Sequence, residues 1–361
     1  MKSIADLIPE DIYSRLKSNY SGKSVVVTGG ASFIGSHLVD ALLELGASVK
    51  VIDNFSSGKK ENLIPDSNLK VLELDVLDAE AIRTEVTSDF NAIFHLAAVH
   101  GGRGFIESQQ AAIMENFALD FNVFSAASKA GVGRIVHASS ACAYPVSPQS
   151  STTDLNLLSE GIAGFDHPEK SDPDGAYGWV KLMGEYQLEK ICETSAKSSG
   201  ASARIFTAYG ERENESHAAI ALIAKSLLEM DPYPVWGNGQ QTRNFTYVAD
   251  TVTGLLLLGL EDKDSRFDVF NVGTADHITV MAFIEEINRQ LSWSPIEFDL
   301  QIDRPMGVAS RASNNTKMIS KFSWAPGISI EEGIGRTLDW YKELDSRPLT
   351  ISELEAKLNA R

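Results

Sequence analysis

The first 206 residues alternate short apolar runs with longer stretches in which apolar residues recur every three to four positions. The apolar runs predict β-strands at residues 25–28, 49–53, 71–75, 92–97, 134–139 and 203–206. The helical period between most of them, first at residues 34–45, predicts helices that connect these strands. Because this order is typical of βαβ units, we predict an α/β fold of the Rossmann type with a doubly wound parallel sheet.

The pattern changes twice further along the chain. Residues 144–177 are rich in Pro, Ser, Thr and Asp and lack a clear period, which predicts a long functional loop. After residue 206, helices are predicted at 218–230, 251–260, 281–291 and 331–344. We therefore assign residues 21–205 to a Rossmann domain, to which segments near 237–275 return. A smaller, partly interleaved α/β substrate domain consists of residues 206–236 and 276–345. Residues 1–20 form an N-terminal extension with a short amphipathic helix, and residues 346–361 form a C-terminal extension with a surface helix beyond residue 348.

Composition narrows the classes of partner. The chain has 32 Lys and Arg against 49 Asp and Glu, for a net charge of −17, so its surface repels phosphate backbones and no nucleic-acid partner is expected. The apolar runs are too short to span a bilayer, and the first residues lack the apolar core of a signal peptide. The two cysteines, Cys142 and Cys192, form no disulfide framework, and no metal-ligand spacing is present. We expect a cytoplasmic protein without a membrane partner or a metal.

A glycine-rich segment, TGGASFIG at residues 28–35, lies between the first predicted strand and the first long helix. Gly29 allows a tight turn, and Gly35 allows the helix to pack closely on the strand. The N–H groups at the start of this helix then face a pyrophosphate, which predicts contacts from Ser32, Phe33 and Ile34. Ser32 stands where a glycine is expected, so its side chain either weakens cofactor binding or bonds a phosphate oxygen.

Asp53 ends the second predicted strand. A carboxylate at this position accepts hydrogen bonds from the ribose hydroxyls of NAD and repels the additional phosphate of NADP. The order of strand, glycine-rich turn, helix, strand and acidic residue therefore predicts NAD as the cofactor.

Tyr177 and Lys181 open a further helical segment and share one helix face, because they are four residues apart. An ammonium beside a phenol stabilises phenolate and is expected to lower the pKa of Tyr177. The pair is thus a candidate general base for a sugar hydroxyl that loses hydride from its carbon. Ser140, at the end of a predicted strand, is positioned to hold the same substrate oxygen.

These residues, together with Asp75-Val76, the HLAA motif at 95–98 and the motifs at 237–250 and 271–273, resemble the extended short-chain dehydrogenase/reductase family. The resemblance covers about residues 22–345. It implies bound NAD, a nucleotide-diphosphate sugar substrate, diphosphate contacts from Arg243 and Arg311, and a homodimer formed through the helical segments at 109–131 and 177–191. The cofactor contacts that it implies are Gly29, Ser32, Phe33, Ile34, Gly35, Asp53, Asn54, Asp75, Val76, Leu96, Ala97, Ala98, Tyr177 and Lys181.

Two segments, GGRGFIE at 101–107 and SSACAYP at 139–145, resemble the GDP-mannose 3,5-epimerase branch of that family. The resemblance implies that Cys142 is an acid/base beside the sugar and that the loop with Gly102 and Arg103 wraps the sugar. Oxidation at carbon 4 acidifies the hydrogens on carbons 3 and 5, so a thiolate and an acid on opposite faces invert a centre. The lysine of that branch is missing here, and His217, or one of the glutamates 211, 213 and 215, is the candidate replacement.

The sequence leaves three other functions open. A nucleotide-sugar 4-epimerase needs only Ser140, Tyr177 and Lys181, with hydride return to the other face of the sugar. A 4,6-dehydratase or a decarboxylase is disfavoured, because Ala141 and Cys142 stand where those enzymes place acidic residues. A non-catalytic NAD-binding regulator is a further alternative, prompted by Ser32 and by the missing lysine.

Overall fold

A computed structural model describes residues 3–262, 265–344, 346–348 and 350–358. Its centre is a seven-stranded sheet in which all neighbouring strands are parallel, with the order β12-β7-β5-β4-β1-β2-β3. The strands in the described residues are β1 Ser24–Thr28, β2 Ser48–Asp53, β3 Leu69–Glu73, β4 Ala92–His95, β5 Arg134–Ser140, β6 Leu157–Leu158, β7 Ser199–Ile205, β8 Ala208–Tyr209, β9 Tyr233–Trp236, β10 Thr242–Arg243, β11 Thr246–Tyr247, β12 Phe267–Val272, β13 Ile278–Thr279, β14 Phe298–Gln301 and β15 Ala312–Ser313.

Helices cover both faces of this sheet, so the predicted Rossmann-type, doubly wound fold is confirmed. In the described residues they are α1 Glu10–Tyr20, α2 Phe33–Glu44, α3 Ala79–Glu85, α4 Arg103–Ser108, α5 Gln110–Ile113, α6 Asn116–Ala130, α7 Gly175–Thr194, α8 Ala218–Leu227, α9 Val248–Leu258, α10 Val280–Leu291, α11 Thr316–Phe322, α12 Ile330–Glu343 and α13 Ile351–Leu358. Helices α1, α2 and α9 pack on one face, and α3, α6 and α7 pack on the other.

The apolar residues of the strands divide between these two layers because successive side chains of a strand point to opposite faces. Val25 and Val27 of β1 belong to the core beneath α2 and α9. Val26, between them, belongs to the core beneath α6. All three side chains are fully buried, which explains why the first strand is a continuous apolar run.

Three predicted elements differ from the structure. The predicted helix over 1–20 is split into a 3₁₀ turn at Ile4–Asp6 and α1, which begins directly after Pro9. The predicted strand at 71–75 begins two residues earlier, because β3 pairs with β2 from Leu69 onward. The strand predicted at 203–206 begins four residues earlier, at Ser199.

The long loop before α7 is held to the body of the protein by hydrogen bonds. Arg204 of β7 donates to the carbonyl oxygens of Glu160 and Ala163. Short 3₁₀ turns occur at Ser147–Gln149, Glu160–Ile162 and Pro168–Lys170, and β6 pairs with β15. The loop therefore has a defined path that brings Asp174 to the start of α7.

Among the described residues, no helix has the length and apolar character needed to cross a membrane. The same residues contain no cluster of three or more His, Cys, Asp or Glu side chains suited to a metal ion. Both cysteines are free thiols.

Candidate active site

The turn between β1 and α2 has no room for side chains at two of its glycines. Gly29 adopts a φ of 69°, and a Cβ atom there would lie 2.7 Å from the backbone nitrogen of Ala97. A Cβ atom at Gly35 would lie 2.1 Å from the carbonyl oxygen of Gly29. Backbone therefore packs on backbone at the start of α2, whose first N–H groups have no partner within the helix. Such a helix start is a favourable site for a pyrophosphate.

Ser32 is the N-cap residue of α2, but its hydroxyl does not cap the helix. The hydroxyl donates a hydrogen bond of 2.6 Å to the carbonyl oxygen of Gly29 and so closes the turn. Donation to a phosphate oxygen, one of the two expected roles, requires this internal hydrogen bond to break.

Asp53 is buried at the end of β2, and its carboxylate accepts hydrogen bonds from the N–H groups of Ala31 and Phe55, at 2.9 and 2.8 Å. Each carboxylate oxygen keeps a second lone pair for a ribose hydroxyl. Asn54 donates to Asp75 at 3.0 Å, which joins the ends of two neighbouring strands. One cleft is lined by nine of the predicted cofactor residues: Gly29, Ser32, Asp53, Asn54, Asp75, Val76, Leu96, Ala97 and Ala98.

Tyr177 and Lys181 lie in the first turns of α7, with the lysine Nζ 5.7 Å from the centroid of the phenol ring. Lys181 is buried and donates a hydrogen bond of 2.8 Å to the carbonyl oxygen of Ala138. Burial raises the pKa of Tyr177 well above its ordinary value, and the nearby Cys142 and Asp120 raise it further. The predicted lowering of this pKa by Lys181 is therefore wrong for the protein alone, because the ammonium does not offset the burial.

Ser140 and Cys142 lie on a short turn that α7 holds in place. The Ser140 hydroxyl accepts a hydrogen bond of 3.1 Å from the Cys142 N–H at the start of the 3₁₀ turn Ala141–Ala143. A Cβ atom at Gly178 would lie 2.2 Å from the Cys142 carbonyl oxygen, so α7 contacts this turn through backbone atoms. The half-buried Cys142 sulfur accepts a hydrogen bond of 3.3 Å from Arg311.

Asp174, which the sequence analysis did not single out, binds two of the candidate substrate arginines. Its carboxylate accepts hydrogen bonds of 3.0 Å from Arg311 and of 3.0 and 3.1 Å from Arg103. Burial opposes ionisation of Asp174, but the two guanidinium groups outweigh it and hold the pKa of Asp174 below its usual value. Arg311 donates a further hydrogen bond of 2.6 Å to Gln149 in the long loop.

Arg243 lies in the same cluster of positive charge. It donates hydrogen bonds of 2.7 Å to the carbonyl oxygens of Thr242 and Met306. Burial and the neighbouring Arg311 lower the pKa of Arg243 to about 10, so its guanidinium stays charged at neutral pH. Three arginines against the single buried carboxylate of Asp174 leave a local excess of positive charge, which is suited to an anionic ligand.

His217 lines the same cleft as Cys142 and lies in a group with two other titratable residues. Its Nδ1 is 3.3 Å from a carboxylate oxygen of Glu213, and its ring lies edge-on to that of His100. Burial raises the pKa of Glu213, and its other carboxylate oxygen has no hydrogen-bond partner among the described residues. The sequence left the choice among His217 and three glutamates open, and in the structure His217 and Glu213 both line the cleft.

Glu211 and Glu215 are bound elsewhere. Glu211 accepts hydrogen bonds of 2.8 and 2.7 Å from the Tyr247 hydroxyl, and Glu215 accepts one of 3.0 Å from the Tyr341 hydroxyl. The His217 segment also contacts the predicted sugar loop, since a Cβ atom at Gly102 would lie 2.1 Å from the Ser216 carbonyl oxygen.

These segments enclose one cleft with a volume of about 340 Å³. Three of the predicted substrate residues do not line this cleft but lie beside it. They are Gly102 and Arg103 in the predicted sugar loop, and Arg243 in the cluster of arginines. The cleft also receives Ser32, Phe33 and Ile34 from the start of α2, and Leu96 and Ala98 after β4. The predicted catalytic residues that line it are Ser140, Cys142, Tyr177, Lys181 and His217, together with Arg311.

The residues present fit an NAD molecule. The crowded Gly29 and Gly35 leave backbone N–H groups for a pyrophosphate, and Asp53 keeps acceptor capacity for a ribose. The neighbouring cleft is lined by residues from the start of α2 together with Tyr177 and Lys181.

Comparison with known proteins agrees with this geometry. Residues 25–273 match the profile of the NAD dependent epimerase/dehydratase family. The chain is 31% identical over 330 residues to GDP-mannose 3,5-epimerase of Arabidopsis thaliana, a match that covers 88% of this chain and 82% of the relative.

Two solved structures share the fold. UDP-glucose 4-epimerase of Thermotoga maritima with UDP-glucose superposes with a TM-score of 0.74 at 27% identity, covering 89% of this chain and 99% of that one. MoeE5 in complex with UDP-glucuronic acid and NAD superposes with a TM-score of 0.76 at 26% identity, covering 88% and 99%. The predicted family and its cofactor are confirmed: the chain belongs to the NAD dependent epimerase/dehydratase family.

Proposed function

We propose that the protein is an NAD-dependent nucleotide-sugar epimerase that works through a transient 4-keto sugar, with Cys142 and His217 inverting carbon 3, carbon 5 or both. The observation that supports this most directly is the common cleft, which places a thiol and an imidazole near the Tyr177–Lys181 pair. The likeness to GDP-mannose 3,5-epimerase over most of both chains supports the same reaction class.

Oxidation at carbon 4 begins with the hydroxyl that Ser140 and Tyr177 hold. Bound NAD would supply the hydride acceptor. Because burial raises the pKa of Tyr177, its phenol would need a neighbouring positive charge to act as a base. Lys181 holds its ammonium beside the phenol through the Ala138 carbonyl group. The protonated phenol then returns its proton to the ketone oxygen at the end of the cycle.

Inversion uses the walls of the cleft. Arg311 donates a hydrogen bond to the Cys142 sulfur, and a cation at this position stabilises a thiolate that removes a proton from the carbon beside the ketone. His217 is oriented by Glu213 and donates a proton to the other face of the same carbon. Both residues exchange their protons with water, so the inverted carbon takes up a hydrogen from solvent.

The diphosphate of the substrate is assigned to the arginine cluster. Arg103, Arg243 and Arg311 converge around Asp174, and their excess positive charge is next to the sugar end of the cleft. A bound diphosphate accepts some of the hydrogen bonds that Arg103 and Arg311 otherwise donate to Asp174. The base of the nucleotide is left to experiment.

The competing function is 4-epimerisation, in which the hydride returns to the other face of carbon 4. It is favoured by the likeness to UDP-glucose 4-epimerase, and it does not use Cys142 or His217. Incubation with GDP- and UDP-hexoses in deuterated water separates the two, because inversion at carbon 3 or 5 introduces carbon-bound deuterium and inversion at carbon 4 does not.

We expect deuterium at carbon 3 or 5 of the product by mass spectrometry and NMR, and its loss in Cys142→Ala. Cys192→Ala is the matched control, because that thiol is a buried residue of α7 and does not line the cleft. Deuterium incorporation that persists in Cys142→Ala would reject the thiol role. Epimerisation at carbon 4 without deuterium would establish the alternative, and NAD binding without any turnover would leave only a regulator.

We also propose a homodimer formed through α6 and α7, which pack side by side. Large apolar side chains are exposed on this surface, with Phe121 54% exposed and Trp179 and Tyr186 each 41% exposed. Sedimentation velocity is expected to give the mass of two chains, and Trp179→Glu to give the mass of one. A single-chain mass for the unaltered protein would contradict this assembly.

A further inference from the structure

A buried polar cluster lies where α6 and α7 pack on β4 and β5. It consists of Asp120 on α6, His95 at the end of β4 and His137 on β5, and we call it the Asp120 cluster. All three side chains are essentially inaccessible to solvent. The reaction proposed above does not use any of them, and burying a carboxylate without a charge partner is costly.

The hydrogen bonds of the cluster are incomplete. Asp120 Oδ1 accepts from His95 Nε2 at 3.0 Å, while His95 Nδ1 is 2.7 Å from the Thr28 hydroxyl. Asp120 Oδ2 and His137 Nε2 lie 3.7 Å apart, and neither atom has a hydrogen-bond partner among the described residues. One carboxylate oxygen is therefore buried without a hydrogen bond to satisfy it.

His137 does not neutralise this carboxylate. His137 is buried against Ser202 and Phe124, and burial lowers its pKa to about 3, so it is neutral at physiological pH. His95 connects the Thr28 hydroxyl at Nδ1 with Asp120 at Nε2. The buried Asp120 carboxylate therefore needs a cation other than His137 nearby.

Lys181 is the candidate for that cation, because burial lowers its pKa and the charge of Asp120 opposes this lowering. Gly184 of α7 lies directly against the cluster, since a Cβ atom there would be 2.4 Å from Asp120 Oδ2 and 2.7 Å from the His137 ring. Lys181 precedes Gly184 by three residues and so shares its helix face. Its buried ammonium uses one donor for Ala138, on the strand that also bears His137.

The other charged group near Lys181 is already paired. Glu185, one turn further along α7, accepts hydrogen bonds of 2.9 and 2.7 Å from Arg204 and one from the Ser139 hydroxyl. Tyr177 is a neutral phenol at physiological pH. Asp120 is therefore the carboxylate whose charge the lysine balances.

We propose that Asp120 is a positioning residue for the Tyr177–Lys181 pair: its buried carboxylate keeps the Lys181 ammonium charged and in place beside the phenol. His95 lies within hydrogen-bond distance of one Asp120 oxygen, and His137 lies 3.7 Å from the other. The expected effect on turnover rests on the epimerase function proposed above, whereas the coupling between Asp120 and Lys181 does not.

A double-mutant cycle tests the coupling without any substrate. Asp120→Asn and Lys181→Met each leave one buried charge unbalanced, so we expect both to lower the urea midpoint, and the double variant to lose less than the sum of the two. Lys190→Met combined with Asp120→Asn is the control, because Lys190 lies exposed on the same helix and pairs with Glu193. Additive losses in the Asp120–Lys181 cycle would overturn the proposal.

The cycle stays informative if Asp120→Asn does not fold alone. The loss caused by Lys181→Met is then measured at pH 4 and pH 7. It grows with pH if Asp120 ionises without its partner, and a loss that does not change with pH would overturn the proposal.

The pH profile of turnover is the second readout. Asp120 disfavours the phenolate of Tyr177 and favours the ammonium of Lys181, so Asp120→Asn lowers both pKa values. We expect the acidic and alkaline limbs of the profile to move to lower pH together, by about one unit. A lower plateau with unmoved limbs would show that Asp120 acts only on stability. An absence of turnover in the unaltered protein would reject the epimerase function and leave the cycle to decide the coupling.

Discussion

Glu185 tests how strongly the position of α7 depends on one buried charge. Its carboxylate is bound by Arg204 through two hydrogen bonds of 2.9 and 2.7 Å, and it also accepts the Ser139 hydroxyl. The side chains of Glu185 and Arg204 are only 5% and 2% exposed. The pair joins α7, which bears Tyr177, to β7, the strand next to the edge strand β12.

The change Glu185→Gln keeps the shape of the side chain but removes its charge. Arg204 then stays buried without a counter-ion, and removing one partner of such a pair costs about 3–5 kcal/mol of the free energy of unfolding. Glu73→Gln is the matched control, because Glu73 and Lys60 form an ion pair in which the side chains are 64% and 69% exposed. Exposed pairs of this kind contribute at most about 1 kcal/mol.

The two variants are compared with the unaltered chain by equilibrium unfolding in urea, followed by far-ultraviolet circular dichroism. We expect a clearly lower midpoint for Glu185→Gln and a midpoint close to that of the parent for Glu73→Gln. Equal losses in the two variants, or a loss below about 1 kcal/mol for Glu185→Gln, would refute the reasoning from burial.

Three further predictions concern the cofactor turn, the base and pH. Gly35→Ala is expected to weaken NAD binding, measured by calorimetry, at least about tenfold, because overpacking costs about 1–3 kcal/mol where the new Cβ meets the turn. Gly327→Ala is the control and is expected to leave NAD binding unchanged, because a Cβ atom at that position has nothing within 4 Å. Tyr177→Phe is expected to stop turnover in a product assay while NAD still binds, and full activity would remove the proposed base. Burial raises the pKa of Asp250 to about 6, so its contribution to stability is present below about pH 4 and is lost as the pH rises through 6. Asp250→Asn is therefore expected to gain on the order of 2 kcal/mol over the parent between pH 4 and 7 in urea unfolding, and a constant difference would contradict this.

Local patterns were sufficient to predict the fold and the cofactor end of the site. The apolar runs, the glycines at 29 and 35 and the acidic residue at 53 each act through neighbours in sequence. In the structure, Gly29 and Asp53 line one cleft and Gly35 packs against the backbone of Gly29. The start of β7 was missed because its residues Ser199, Gly200 and Ser202 are small or polar. They are buried only because β5 and β12 pair with them on both sides.

The chemistry of the site depended on contacts that no local pattern contains. Asp174 lies in a Pro- and Asp-rich loop typical of a turn, and only its contacts with Arg103 and Arg311 mark it as part of the site. The helical spacing of Tyr177 and Lys181 correctly indicated a shared face. It could not indicate the burial that decides the pKa of the phenol, because burial is a property of the packed chain.

The position of β12 at the end of the sheet means that the cofactor-binding half is not a contiguous piece of the gene product. This strand comes later in the chain than residues 205–219, many of which line the cleft, yet it is the second strand that pairs with β7. A shortened chain that stops near residue 205 would leave β7 as an open border with unpaired amide and carbonyl groups, a surface prone to self-association. Synthesis must therefore proceed beyond residue 272 before the sheet is complete, and any exchange of the segments after residue 205 between relatives has to retain this returning strand.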